Sequence, residues 1–247
     1  MTISPELEVQ NVTVYMESLF VLDRISIHIQ PEELVTILGP SGCGKSTLFS
    51  VIAGLIKPTS GEVIMHDQSI TGTLGHVSYM TQKDLLLPWR SILDNVSLPL
   101  VLQGESWKKA REKAASYFSL FGLEGFETAY PSELSGGMKQ RAALLRTCLV
   151  QKPVLLLDEP FGRLDAITKH TMQNWMMGIA QKMKTTILMI THDVEEAIYL
   201  SDRIYILSKL PGKVLEELTV SLSKPRTAAI MTSSTANQLR EKILSLL

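Results

Sequence analysis

Cysteine is scarce in this sequence: 247 residues contain only Cys43 and Cys148, with no Cys-x-x-Cys spacing. That excludes a disulfide framework and a thiolate zinc site, and it suits a reducing compartment. No apolar run approaches the roughly 20 residues that cross a bilayer. The opening stretch MTISPELEVQ lacks the basic start and apolar core of a secretory signal. The expectation is a cytosolic chain, or one held at a membrane by something else. Excess charge is missing too: 24 Lys and Arg against 25 Asp and Glu argue against a dedicated nucleic-acid binder. Internal repeats and low-complexity tracts are absent. What remains is an ordinary globular composition, 45% hydrophobic and 20% charged, long enough for one large domain or a domain with a subdomain.

Short β-branched runs dominate the first 38 residues: VTVY, ISIHI and LVTIL read as strands. LVTIL is almost wholly apolar, as a strand buried on both faces requires. STLFSVIAGL then sets Leu48, Val51, Ile52, Leu55 and Ile56 at helical spacing. Character changes from about residue 91 to 149, where WKKAREKAASYFSLFGL places Ala110, Ala114, Tyr117, Phe118 and Phe121 on one helical face, with Gly122 as a C-cap. Strand patterns resume in VLLLD, TTILMI and RIYIL. The expected fold is α/β: a mainly parallel sheet over residues 1–90 and 150–222, an antiparallel N-terminal part, a helical subdomain inserted at 91–149, and a tail at 223–247 with a helix through Leu239, Ile243 and Leu246.

GPSGCGKST fits the pattern G-x-x-x-x-G-K-[ST] through Gly39, Gly44, Lys45 and Ser46. Gly39, Pro40, Ser41, Gly42, Cys43 and Gly44 let the backbone curl until its N–H groups point inward at phosphates, with Thr47 continuing into the helix. Lys45 brings an ammonium to the β/γ oxygens, and the Ser46 hydroxyl can ligate Mg²⁺. The loop follows a buried strand and opens an amphipathic helix, the context a nucleotide-binding P-loop needs. Cys43 is read as a small side chain; an activated thiol near a helix start is the other reading.

VLLLDEP is an apolar strand that ends in two acids, a costly arrangement unless they hold a cation or an ordered water. Asp158 fits a carboxylate fixing Mg²⁺; taken alone it could instead be a helix N-cap. Glu159, expected on the opposite face of the strand, could orient or deprotonate an attacking water. His192 follows TTILMI at the C-terminal edge of a parallel strand, where open α/β sheets collect ligands. A second anion cradle appears in LSGGMKQRAALLRT, with Ser135, Gly136 and Gly137 at a helix start and no clamping lysine.

Together these residues resemble the nucleotide-binding subunit of ATP-binding cassette transporters, over nearly the whole chain. LSGGMKQR looks like the family's signature sequence. The resemblance implies two cassettes facing head to tail, each ATP lying between the P-loop of one and Ser135, Gly136, Gly137 and Gln140 of the other. It explains the missing lysine, since Lys45 of the opposite chain supplies the clamp. Gln82, in YMTQKDLLLPW, resembles the Q-loop glutamine at Mg²⁺ or the lytic water. Asp165, in FGRLDAIT, resembles the D-loop aspartate that reaches across the dimer, and His192 the switch histidine at the γ-phosphate. Tyr15 is the choice for stacking on adenine, with Phe20 the alternative. The resemblance departs at Arg163, where a small residue is common, and in LLRTCLV.

LLLPWRSILDNV, FGRLDAIT and the tail look like one importer subgroup serving nitrate, sulfonates, taurine and thiamine-pyrimidine precursors. This implies ATP and Mg²⁺ as ligands, a second copy of the chain, transmembrane permease subunits, an extracytoplasmic solute-binding protein acting indirectly, no nucleic acid, and a peripheral place on the cytoplasmic face of the membrane. Leu85, Leu86, Leu87 and Trp89 would form a groove for a permease helix, or else an ordinary patch under a loop. With so short a tail, no separate regulatory domain of the sugar-importer type is expected. A DNA-repair cassette is the rival, but it would need a long coiled-coil insertion, and fewer than 100 residues separate Lys45 from Ser135.

Overall fold

A computed structural model of the chain describes residues 4–162 and 164–247. Arg163, one of the departures noted above, lies outside them.

The described residues form two sheets, with helices packed against them. Strands β1 (Leu7–Met16) and β2 (Leu19–Ile29) make a long antiparallel hairpin, extended through β4 (Ser60–Met65) to β5 (Gln68–Ser69) in the order β2-β1-β4-β5. The larger sheet collects β3 (Leu34–Leu38), β6 (Ser78–Met80), β7 (Val154–Asp158), β8 (Thr186–Thr191), β9 (Arg203–Leu207) and β10 (Val214–Thr219) in the order β10-β9-β3-β8-β7-β6. All its pairings are parallel except β10 with β9. The α/β expectation, with a parallel-rich sheet and an antiparallel N-terminal part, is borne out.

The two-residue period of a strand sorts the apolar side chains between two cores. Val35 and Ile37 of β3, Val154 and Leu156 of β7, and Leu188 and Ile190 of β8 join the antiparallel sheet and helix α1 (Lys45–Ile52) in one. Leu155, Leu157, Ile187 and Met189 point the other way, into a second core with α2 (Ile92–Leu102), α3 (Trp107–Ala115), α4 (Gly136–Cys148) and α5 (Ala166–Met183). This explains why LVTIL, VLLLD and RIYIL lack alternation: both faces of each strand are covered. A third, smaller cluster joins α6 (Val194–Leu200) to the tail helices α7 (Ala228–Met231) and α8 (Ser234–Leu246).

Two local expectations are corrected. Helix α1 ends at Ile52, so Leu55 falls beyond it and is 61% exposed, while Ile56 still packs on the core. Helix α3 ends at Ala115 rather than at Gly122. The Ser116 hydroxyl donates back to the Lys113 carbonyl (2.8 Å), a bond that competes with helix continuation. A run of turns follows, closed at Gly122 (φ +60°), and it still buries Phe118 and Phe121. Phe121 is fully buried, edge-on to Trp175 with ring centroids 5.0 Å apart. Phe121→Ala should lower unfolding free energy by roughly 3–5 kcal/mol in urea titration, and a loss under about 1 kcal/mol would show that the turns repack.

Candidate nucleotide site

Strand β3 delivers Gly39 to the sheet's C-terminal edge, and the loop curls through Gly42 (φ +79°) and Gly44 (φ +102°). Gly44 is the N-cap of α1, and a Cβ there would sit 2.7 Å from the Leu22 side chain, so glycine is required by both conformation and space. Lys45 is 6% exposed; its ammonium donates to the Gly39 and Pro40 carbonyls at 2.8 Å each and lies 3.9 Å from Cys43 Sγ. Cys43 is buried, as a small packing residue should be. Around the loop opens a cleft of about 420 Å³, lined by Ser41, Gly42, Gly44, Lys45, Ser46 and Thr47, by apolar Met16, Leu19, Val21 and Leu210, and by Gln82 and Glu159.

Tyr15 and Phe20 do not line that cleft. They pair across the β1–β2 hairpin and stack on each other, centroids 4.6 Å apart and planes within 6°. Sequence reasoning missed Met16 and Leu19, whose side chains alternate with Tyr15 and Phe20 along the strands; the period of two could have identified them.

Asp158, at the tip of β7, is 5% exposed, and the Tyr79 hydroxyl donates to its Oδ2 at 3.4 Å. Burial pushes its carboxyl above the usual range, the Ser46 hydroxyl opposes this, and the charge of Glu159 adds to the rise. Burial and the Asp158 charge likewise push the Tyr79 phenol upward. Glu159 is not on the strand, contrary to expectation. It follows the strand in the left-handed region (φ +46°), anchored by its N–H to the Ile190 carbonyl (3.0 Å), so the turn rather than the pleat aims its side chain. A non-glycine residue in that region marks a position held by its surroundings.

The aimed carboxylate is a meeting point. Gln82 Nε2 donates to Glu159 Oε2 at 2.9 Å, and His192 Nδ1 lies 3.2 Å from Oε1. Three expected residues, with Gln82 77 positions before Glu159 and His192 33 positions after it, therefore come together beside the cleft. The Asp193 side chain caps α6, accepting from the Glu196 N–H (3.2 Å) and from Lys169 Nζ (2.6 Å). Lys169 and the buried Glu196, held by Gln173 and Thr191, were not foreseen; nothing in the sequence signals them, since their partners lie on a different element.

Ser135 caps α4, its Oγ accepting from the Met138 N–H at 3.3 Å. Ser135, Gly136 and Gly137 do not line the P-loop cleft of their own chain. A Cβ on Gly137 would press on Thr168 at 3.1 Å, which is an internal reason for glycine; one on Gly136 would meet nothing within 4 Å. Gln140 turns inward, its amide donating to the Pro160 carbonyl. Arg146, in LLRTCLV, donates to the carbonyls of Leu85 (2.7 Å) and Asp84, tying α4 to the segment after Gln82. Asp165 caps α5 through the N–H groups of Ile167 (3.2 Å) and Thr168 (3.1 Å), and hydrogen bonds from Thr168 hold its carboxyl below the usual range. Leu86 is core, whereas Leu85 and Trp89 are 57% and 71% exposed.

The family model described as ABC transporter matches residues 22–162. The chain is 49% identical to the formylaminopyrimidine import ATP-binding protein ThiZ of Halalkalibacterium halodurans, over 83% of this chain and 80% of that one. It is 46% identical to the nitrate import ATP-binding protein NrtD of a Synechocystis strain (83% and 77% covered) and 41% identical to the aliphatic sulfonates import ATP-binding protein SsuB of Bacillus thuringiensis (91% and 87%). Among solved structures it resembles the dimeric bacterial ABC transporter cassette MJ0796, with a TM-score of 0.75, 31% identity, and 87% and 98% of the two chains covered. The P-loop cleft, the Glu159 cluster and these similarities lead to one conclusion: the chain belongs to the ABC transporter family and is one of its ATP-binding, ATP-hydrolysing cassettes.

Proposed function

We propose that this chain powers import of a small nutrient of the nitrate, sulfonate, taurine or thiamine-pyrimidine class through a partner permease, by hydrolysing ATP between two copies of itself. One observation carries the reading: Glu159 gathers Gln82 and His192 at the P-loop cleft, while the Ser135–Gly136 cradle stands exposed outside it. A bilayer-crossing helix is absent among the described residues, which fits a peripheral subunit that depends on permease subunits for its membrane location.

Lys45 exchanges its two carbonyl partners for the β/γ oxygens of the nucleotide, while the N–H groups from Gly42 to Thr47 surround the remaining phosphate oxygens. The donor set suits Mg²⁺: a hydroxyl from Ser46 and a buried carboxylate from Asp158, with Gln82 nearby. Among the described residues no three His, Cys, Asp or Glu side chains cluster as a metal site, so the phosphates would supply part of the cation's ligands. Mg²⁺, when bound, neutralises charge on the β and γ phosphates. Glu159 positions and deprotonates the attacking water, and His192 meets the γ-phosphate. Met16 and Leu19, which line the cleft, offer adenine an apolar surface, and Tyr15 would stack on the base only by leaving Phe20 and crossing to their face of the hairpin. Ser135, Gly136 and Gly137 of the second copy close the site, with Asp165 reaching across from its helix cap. The solute-binding protein touches the permease only, and nucleic acid has no part.

The test is reconstitution of the full chain with its permease in vesicles. ATP turnover should rise when the matching binding protein carries formylaminopyrimidine, nitrate or an alkanesulfonate, and stay flat with duplex DNA. Stimulation by DNA and by none of the solutes would replace this reading with the DNA-repair one.

A further inference from the structure

None of the steps above uses the segment after β10, yet it grips the helix that follows His192. Ile243 of α8 is fully buried in a cluster with Ala197 and Ile198 of α6 and with Leu38, the residue before the P-loop. Two tail arginines hold α6 at opposite ends. Arg226, 5% exposed, donates to the Ile198 and Tyr199 carbonyls at 2.8 and 2.9 Å, satisfying last-turn groups that a helix cannot satisfy internally. Arg240 makes a two-pronged pair with Glu195 in the first turn, through Nε to Oε1 and through a terminal nitrogen to Oε2 at 2.9 Å. The same guanidinium is fixed by the Asn237 side chain and by the Met231 carbonyl (3.3 Å).

His192 directly precedes Asp193, the N-cap of α6. Its half-exposed ring is hydrogen-bonded to Glu159, so its place in the site follows from where the helix start is held. Lys169 holds that start from α5 and Arg240 holds it from the tail, with a cavity of about 340 Å³ between, lined by Lys169, Asp193, Glu195 and Met231 among others. We propose that the C-terminal segment is a positioning brace for His192, with Arg240 acting through Glu195 on the start of α6 and Arg226 fixing its end. A partly exposed ion pair adds little to stability, but a planar two-pronged contact fixes direction. Fixing direction is what a side chain that must meet a phosphate requires.

The inference rests on His192 acting at the γ-phosphate, so the experiment separates the two. In the full chain with Mg-ATP, Arg240→Ala should lower kcat about tenfold, with KM and thermal midpoint nearly unchanged, because small misplacements at a reacting centre are expensive in rate. Arg240→Glu combined with Glu195→Arg should restore most of the loss. In a His192→Ala background, Arg240→Ala should add nothing, as expected for residues acting through one another. Wild-type kcat in Arg240→Ala with an inactive His192→Ala would sink the brace and leave His192 its role. Wild-type kcat in His192→Ala would sink the role itself. A loss that persists in the charge swap, or that comes with a lower thermal midpoint, would make Arg240 merely structural.

Discussion

Glu159→Gln should cut steady-state ATP turnover by about 10²–10³-fold while leaving ATP binding intact, the range expected when a positioned general base is removed. The amide has the carboxylate's shape. It can still accept from Gln82 Nε2, now 2.9 Å away, so the geometry around the left-handed residue survives. What it loses is basicity and charge. Glu159 adds to the upward push on the Asp158 carboxyl, so neutralising it removes repulsion beside a site meant for a polyanion. Binding should therefore hold or tighten as chemistry stops. With hydrolysis blocked and both cradles intact, ATP-bound dimers should accumulate, visible as a doubled mass in light scattering at saturating Mg-ATP. Turnover at the wild-type rate would move the base elsewhere, and Gln82 and His192 would then be holding a structural carboxylate.

The Glu159 cluster also shows what one sequence makes legible. The P-loop, the acidic strand tip and the signature were readable because each is a local pattern with a chemical reason for its spacing: N–H groups curled on phosphate, acids where an apolar strand surfaces, a glycine-rich helix start. The parallel sheet was readable because strands buried on both faces lose their alternation. Positions set by another element were not readable. The aim of Glu159 comes from a turn with φ +46°, which the strand pattern of VLLLDEP cannot reveal. The stop of α3 at Ala115 coincides with a serine hydroxyl bonded back to the Lys113 carbonyl, while the apolar spacing runs on through Phe121. Lys169 looked like any surface lysine until α6 packed beside it. The stacked pair of Tyr15 and Phe20 follows from hairpin register, which neither residue's neighbours encode.

Ser135→Arg should leave ATP binding to the separated chain unchanged and lower turnover by at least about 100-fold, comparable to losing an anion-stabilising donor. The fold should tolerate it. Ser135 is exposed, and losing its cap on α4 costs about 1 kcal/mol. The helix itself is anchored by buried Ala142, Ala143 and Leu145. The damage falls on the open space over Gly136, where a Cβ would meet nothing within 4 Å and where the proposed second copy would bring its nucleotide. A mixing experiment decides between action within one chain and between two. Lys45→Ala spoils the P-loop and spares the signature, whereas Ser135→Arg does the reverse. If each site takes its P-loop from one copy and its signature from the other, a mixed pair has one doubly damaged site and one with both halves intact. Equal mixing of two inactive chains should then recover about one quarter of wild-type turnover, since half the two-fold dimers are mixed and each regains one site of two. If the cradle served the P-loop of its own chain, every site in every pairing would stay damaged, and the mixture would be as inactive as its parts.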